Sequence, residues 1–152
     1  MSVEIKGDGI VGEIEIAAAP EKVFDALTDP EQLAQWWGSA DTYRTSNWKL
    51  DLRPGGEWSC DAKGSAGPST AVAGRYVVVD RPHHLSYTWR PSWAPGEESQ
   101  VTYTFEPIGT GTRVLFRHDG FLSDQSRQGH SQGWARVTGW LQGHFQQAEV
   151  AR

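Results

Sequence analysis

The 152-residue chain has a single cysteine, Cys60. One thiol excludes an internal disulfide framework and any zinc site built mainly of thiolates. Basic residues are in the minority, fourteen Lys and Arg against nineteen Asp and Glu, for a formal charge of −5. The clustered positive charge that a phosphate backbone demands is missing, which argues against nucleic acid as a partner. No stretch approaches the ~18–20 consecutive apolar residues of a membrane helix, and the opening MSVEIKGDGIVGEIEI lacks a signal-peptide apolar run. A cytoplasmic protein without a membrane span is therefore expected. Also absent are a Gly-x-Ser-x-Gly elbow, a phosphate loop and a dinucleotide fingerprint. Serine-nucleophile chemistry and a nucleotide cofactor lose their usual signatures, and no cofactor is expected.

Aromatic residues, by contrast, are abundant: eight Trp, four Tyr and five Phe. Large flat side chains either fill a core or line a cavity. A chain of this length buries about 70% of its unfolded surface, enough for a core of its own.

The spacing of apolar residues predicts the elements. Ile10, Gly12, Ile14 and Ile16 alternate with Glu13 and Glu15, which predicts a half-buried strand over 10–17. Pro20 suits a helix first turn, and Val23, Phe24 and Leu27 supply that helix with an apolar stripe. Asp29-Pro30 reads as the N-cap and first turn of a second short helix over 31–37, with Gly38 as its C-terminal cap.

Six strands are expected next. Trp48, Leu50 and Leu52 alternate before the turn Pro54-Gly55-Gly56, and a returning arm covers 57–63. A loop over 64–69 leads to a strand over 72–80. Then come the triplets Leu85/Tyr87/Trp89, Val101/Tyr103/Phe105 and Val114/Phe116/His118, each the apolar side of its strand, with a loop over 91–98 after the first. Short turns between consecutive strands predict an antiparallel meander.

The last segment is a helix. At 100° per residue His130, Trp134, Val137, Leu141 and Phe145 form one stripe. Gly129, Gly133, Gly139 and Gly143 each cost about 1 kcal/mol against Ala in a helix interior. Either the sheet approaches closely at these points or packing holds the helix. Gly139 and Gly143 point away from the stripe, which favours packing. The order of strand, two short helices, six strands and long helix predicts a curved sheet of about seven strands gripping the terminal helix, with a cavity between them.

The stretch Pro20-Glu21-Lys22-Val23-Phe24-Asp25-Ala26-Leu27-Thr28-Asp29-Pro30, continuing to Leu33, Trp36, Trp37 and Gly38, resembles the opening of the START-like (SRPBCC) superfamily. More narrowly it resembles homologues of the activator of the ninety-kilodalton heat-shock protein ATPase. The likeness runs on through Arg53-Pro54-Gly55-Gly56, Gly74-Arg75-Tyr76, Leu85-Ser86-Tyr87-Thr88-Trp89, His118, Gly120-Phe121, His130 and Gly133-Trp134, so it covers essentially the whole chain. It implies an α+β helix-grip fold, like that of the birch-pollen allergen, as one domain over 1–152 with a pocket beneath the C-terminal helix. Members bind lipids, hormones or polyketides; others are cyclases, dehydratases or aromatic-ring hydroxylase subunits. The eukaryotic co-chaperone that names the subgroup has an extra N-terminal domain, and this chain has length only for the C-terminal type.

The expected ligand-binding residues are Trp37, Tyr76, Tyr87, Trp89, Tyr103, Phe116, His118, His130 and Trp134. Tyr87 and Tyr103 carry hydroxyls that need partners when buried, which a ligand or pocket water can supply. His118 lies on the apolar side of its strand, between the outward Arg117 and Asp119, where desolvation keeps the imidazole neutral. It reads either as a polar anchor or proton-transfer group, or as a core histidine bonded to a tyrosine or a carbonyl. His118 is also the catalytic candidate, with Tyr76, Tyr87 and Asp61 as other acid–base groups. His118 and His130 lack a third ligand at suitable spacing, so no metal is expected. His83-His84 after Pro82 read as solvent-facing. One of Trp36 and Trp37 is expected to pack under the sheet and the other to stand at the pocket entrance. Arg53, Arg75 and Arg90 read as surface residues, and Cys60, alternating with Trp58 and Ala62, as a small buried hydrophobe.

Three functions follow in order. The first is a module that encloses a small hydrophobic or aromatic ligand. The second is a cyclase or dehydratase using acid–base residues in the same cavity, and the third is a partner of a chaperone ATPase. A homodimer is compatible with the sequence.

Overall fold

The computed structural model describes residues 2–64, 67 and 69–150, with side chains through 146. Two strands, β1 (Ser2–Lys6) and β2 (Gly9–Ile16), precede the short helices α1 (Pro20–Thr28) and α2 (Pro30–Trp36). Six strands follow: β3 (Tyr43–Leu50), β4 (Glu57–Gly64), β5 (Ser69–Asp80), β6 (His84–Pro91), β7 (Ser99–Ile108) and β8 (Gly111–Asp119). The helix α3 (Asp124–Val150) ends the described chain. The strands form one antiparallel sheet in the order β1-β2-β8-β7-β6-β5-β4-β3.

Eight strands form where about seven are expected. The additional one, β1, pairs with β2 across a two-residue turn in which Gly7 takes φ +64°. Only glycine enters that region freely at the first position of a tight hairpin. The edge strand β1 is exposed along most of its length, so it has no buried face to produce a hydrophobic alternation. A second correction concerns Leu52. β3 stops at Leu50, a bulge at Asn47 (φ +54°) shifts the register, and Leu52 is left 40% exposed. Positions 65, 66 and 68 of the expected loop over 64–69 lie outside the described residues.

The helices form for the reasons the spacing implies. Pro20 and Pro30 open α1 and α2, and the Asp29 carboxylate caps α2 by accepting from Glu31 N–H at 3.1 Å. Phe24 of α1 meets Phe105 of β7 edge-on, with centroids 5.6 Å apart. Trp36 donates its indole N–H to Ala26 O at 2.8 Å, tying α2 to α1.

β2 and β8 pair from Ile10↔His118 to Ile16↔Thr112, which brings the first long strand beside the last. At Gly12 a Cβ would lie 2.1 Å from the Phe116 ring, so only glycine leaves room for that ring. Phe116 in turn stacks on Trp134 of α3 with centroids 4.2 Å apart. Around this contact Tyr103, Phe105, Val114, Val137 and Leu141 are all buried, and this part of the space between sheet and helix is filled.

Candidate ligand cavity

The other part is hollow. A cavity of about 840 Å³ lies between the first turns of α3 and the inner faces of β3, β4 and β5, with the β6–β7 connection closing one side. Its existence follows from side-chain size. The strands contribute Cys60, Ala62, Gly64, Thr70 and Val72, and the helix presents Gly129 and Gly133. Small groups on both walls cannot meet across a sheet–helix gap that Phe116 and Trp134 fill elsewhere.

Tryptophan supplies the large surfaces: Trp37, Trp48, Trp89, Trp93 and Trp134 border the cavity. Four of these indole N–H groups are committed within the protein. Trp37 donates to Tyr43 Oη at 3.3 Å and Trp48 to Thr45 Oγ1 at 3.0 Å. Trp89 donates to His130 Nε2 at 3.1 Å, and Trp134 to His118 Nδ1 at 2.9 Å. These bonds fix the rings in place without a ligand.

The bonds also settle both imidazole tautomers. An indole N–H only donates, so His118 Nδ1 accepts and its proton resides on Nε2. Nε2–H then donates to Ser99 Oγ at 2.7 Å, and Ser99 donates onward to Trp89 O at 3.4 Å. His130 is the mirror case: Nε2 accepts from Trp89, and Nδ1–H donates to Ser126 O at 2.8 Å. The rings stand edge to face, 5.4 Å apart. Burial, then the neighbouring His130, holds His118 well below the usual histidine value. His130 is lowered by burial too, partly opposed by its bond to Ser126 and by the charge of Glu97. With both lone pairs taken by indoles, neither ring offers a metal ligand atom. No group of three metal-ligating side chains occurs among the described residues.

Neutral burial of these histidines makes stability depend on pH. The unfolded chain takes up protons below about pH 6.5 while the folded chain does not, so stability is full above that value. It is lost as the pH falls towards the depressed folded values, at up to about 1.4 kcal/mol per pH unit for a fully buried histidine. Urea denaturation should therefore show lower stability at pH 5.5 than at 7.0. Equal or greater stability at pH 5.5 would contradict the neutral pair.

Of the nine expected site residues, the structure brings five to the cavity: Trp37, Trp89, His118, His130 and Trp134. The other four do not border it. Tyr103 and Phe116 belong to the filled part, where Tyr103 stands edge-on to Trp134 at 6.1 Å. Tyr76 and Tyr87 border a separate void of about 20 Å³, room for one water. The hydroxyls of Tyr87 and Tyr103 share a hydrogen bond of 2.7 Å, so each supplies the partner expected from a ligand. Burial raises the pKa of Tyr76 and Tyr87, which leaves both phenols protonated and poor bases at neutral pH. Asp61 is exposed and accepts from Asn47 Nδ2 at 2.8 Å, away from the cavity. Cys60 does border the cavity, but burial and then Asp61 push its thiol up to about 12, so it is not a nucleophile. Arg53, Arg75 and Arg90 pair on the surface with Asp51, Glu57 and Glu98.

Sequence reasoning missed Trp48, Trp93, Glu97, Arg136 and the cavity-facing role of Gly129 and Gly133. The glycines alone left a signal, a spacing of four flanking His130 and Trp134. A Cβ at Gly129, Gly133, Gly139 or Gly143 would meet no atom within 4 Å, so close approach of the sheet is not their reason.

A long terminal helix held across a curved antiparallel sheet, with a cavity beneath it, defines the helix-grip class of START-like proteins, a fold built for ligand binding. Within that class the chain belongs to the family of activator of Hsp90 ATPase homolog 1-like proteins, whose model matches residues 17–146. The AHSA1 protein from Silicibacter pomeroyi is 28% identical over 94% of this chain and 97% of its own, with a TM-score of 0.75. A protein from Chromobacterium violaceum is similar at 23% identity and TM-score 0.82, covering 91% of this chain and 96% of its own. One from Rhodobacter sphaeroides reaches TM-score 0.83 at 21% identity, over 99% of each chain. No curated protein matches the chain. No helix among the described residues is long and apolar enough to cross a membrane.

Proposed function

We propose that the protein is a binding module that encloses a small hydrophobic or aromatic ligand in the cavity between α3 and strands β3–β5. The observation that carries this reading is a hollow of about 840 Å³ bordered by five tryptophans, four of them held by hydrogen bonds to protein groups. Small-molecule sites are typically about 300–1,000 Å³ and mostly apolar, with a few fixed polar groups. Binding is favoured over cyclase or dehydratase chemistry by the state of the candidate acids and bases. His118 has both nitrogens engaged, and the phenols of Tyr87 and Tyr103 are bonded to each other.

The test uses N-phenyl-1-naphthylamine, a neutral aromatic probe that absorbs where tryptophan emits. Titration into the protein should quench tryptophan emission saturably and shift probe emission to the blue. A linear, unsaturable response would overturn the reading.

A further inference from the structure

Glu97, in the connection between β6 and β7, is the unusual polar group of this cavity. It borders the hollow, yet only 5% of the residue is exposed. Its Oε1 accepts from the Ser126 hydroxyl at 2.6 Å, and among the described residues it forms no ion pair. Among the described residues Oε2 has no hydrogen-bond partner, and no fully enclosed side-chain oxygen is unsatisfied. Oε2 is therefore not fully enclosed, and Glu97 is one of the residues that border the cavity. A carboxylate at an apolar cavity wall with no counter-charge of its own favours a cation beside it.

Two indoles gather at His130, whose Nδ1–H is bonded to the carbonyl of Ser126. Trp93 stacks on His130 with centroids 6.2 Å apart, and Trp89 meets the same ring at 6.3 Å. Indole faces attract cations through their quadrupole, and Trp93, 52% exposed, offers such a face at the cavity mouth. Arg136 borders the cavity ten residues further along α3 than Ser126, about 15 Å of helical rise, so positive charge is disfavoured at that end.

Resting on the ligand-binding reading above, we propose that the ligand is an organic cation. Its ammonium group sits against Glu97 Oε2 and the Trp93 and Trp89 rings, and its apolar body lies along the remaining tryptophans towards Arg136. Ser126 is a positioning residue that holds the carboxylate in place.

Isothermal titration calorimetry with three probes of one shape tests this: 2-naphthylmethylammonium, 2-naphthylmethanol and 2-naphthoate. The ammonium should bind wild-type protein at least about tenfold tighter than the alcohol, and the carboxylate weakest. Glu97→Gln should bring the ammonium to within about threefold of the alcohol, and a cooperative urea transition like that of the wild type shows that the variant is folded. Should Glu97→Gln not fold, Glu97→Asp, one methylene shorter, should weaken the ammonium selectively. Equal binding of ammonium and alcohol to the wild type, or a preference that survives Glu97→Gln, overturns the proposal and leaves the cavity reading standing. Binding of none of the three overturns both.

Discussion

Replacing Gly133 by leucine should raise the melting temperature and at the same time weaken probe binding at least about tenfold, an effect set by occupied volume. The two results share one cause. Gly133 lies in the interior of α3, where glycine costs about 1 kcal/mol relative to a good helix former. A Cβ there meets no atom within 4 Å because the space in front of it is the cavity. Leucine therefore gains helix propensity with room for its Cβ and extends its side chain to where a ligand would lie. The gain should appear as about 2–4 °C in melting temperature. Gly139→Ala is the control: its Cβ also meets open space, but outside the cavity, so it should gain similar stability and bind the probe normally. Unchanged probe affinity in Gly133→Leu would place the ligand elsewhere. Gly133 thus leaves the hollow open at a cost in helix propensity.

The second large effect is expected at His118. Substitution by phenylalanine keeps an aromatic ring, somewhat larger, but leaves the Trp134 indole N–H without its acceptor and removes the donor to Ser99. An orphaned buried donor costs about 1–3 kcal/mol, so His118→Phe should lose about 2–4 kcal/mol of unfolding free energy in urea. Trp134→Phe added to His118→Phe removes the orphan, and the pair should cost less than the sum of the single changes. Additive costs, or a His118→Phe variant as stable as wild type, would mean that the Trp134–His118 bond does not hold the cavity wall. His118 acts here as a fastener between β8 and α3. Its candidacy as an acid or base fades for the same reason, since protonating Nδ1 would break the bond to Trp134.

How far the residues disclosed this arrangement varied with the kind of information each carried. The elements with one buried face were legible: Ile10, Ile14 and Ile16 of β2, the triplets of β6, β7 and β8, and the stripe of α3 all lie where periodicity placed them. β1 was not legible, because an exposed edge strand has no face to bury. The capping of α2 by Asp29 was legible because it is local, two residues from donor to acceptor. Glu97 was not, because Ser126, which binds its carboxyl, is 29 residues away in the chain.

Local periodicity, turn chemistry and capping by themselves determined the order of elements from β2 onward, the grip of the sheet on the terminal helix, and the inward faces of β2, β6, β7 and β8. Which part of that inner space is filled and which stays open was decided only by tertiary structure. Side-chain volumes add across partners distant in sequence: Phe116 meets Trp134 and closes the gap, while Ala62 and Gly64 face Gly129 and Gly133 and leave it open. No single segment contains that sum. The cavity therefore lies beside strands β3–β5, away from the tyrosines that the chain's aromatic pattern singles out.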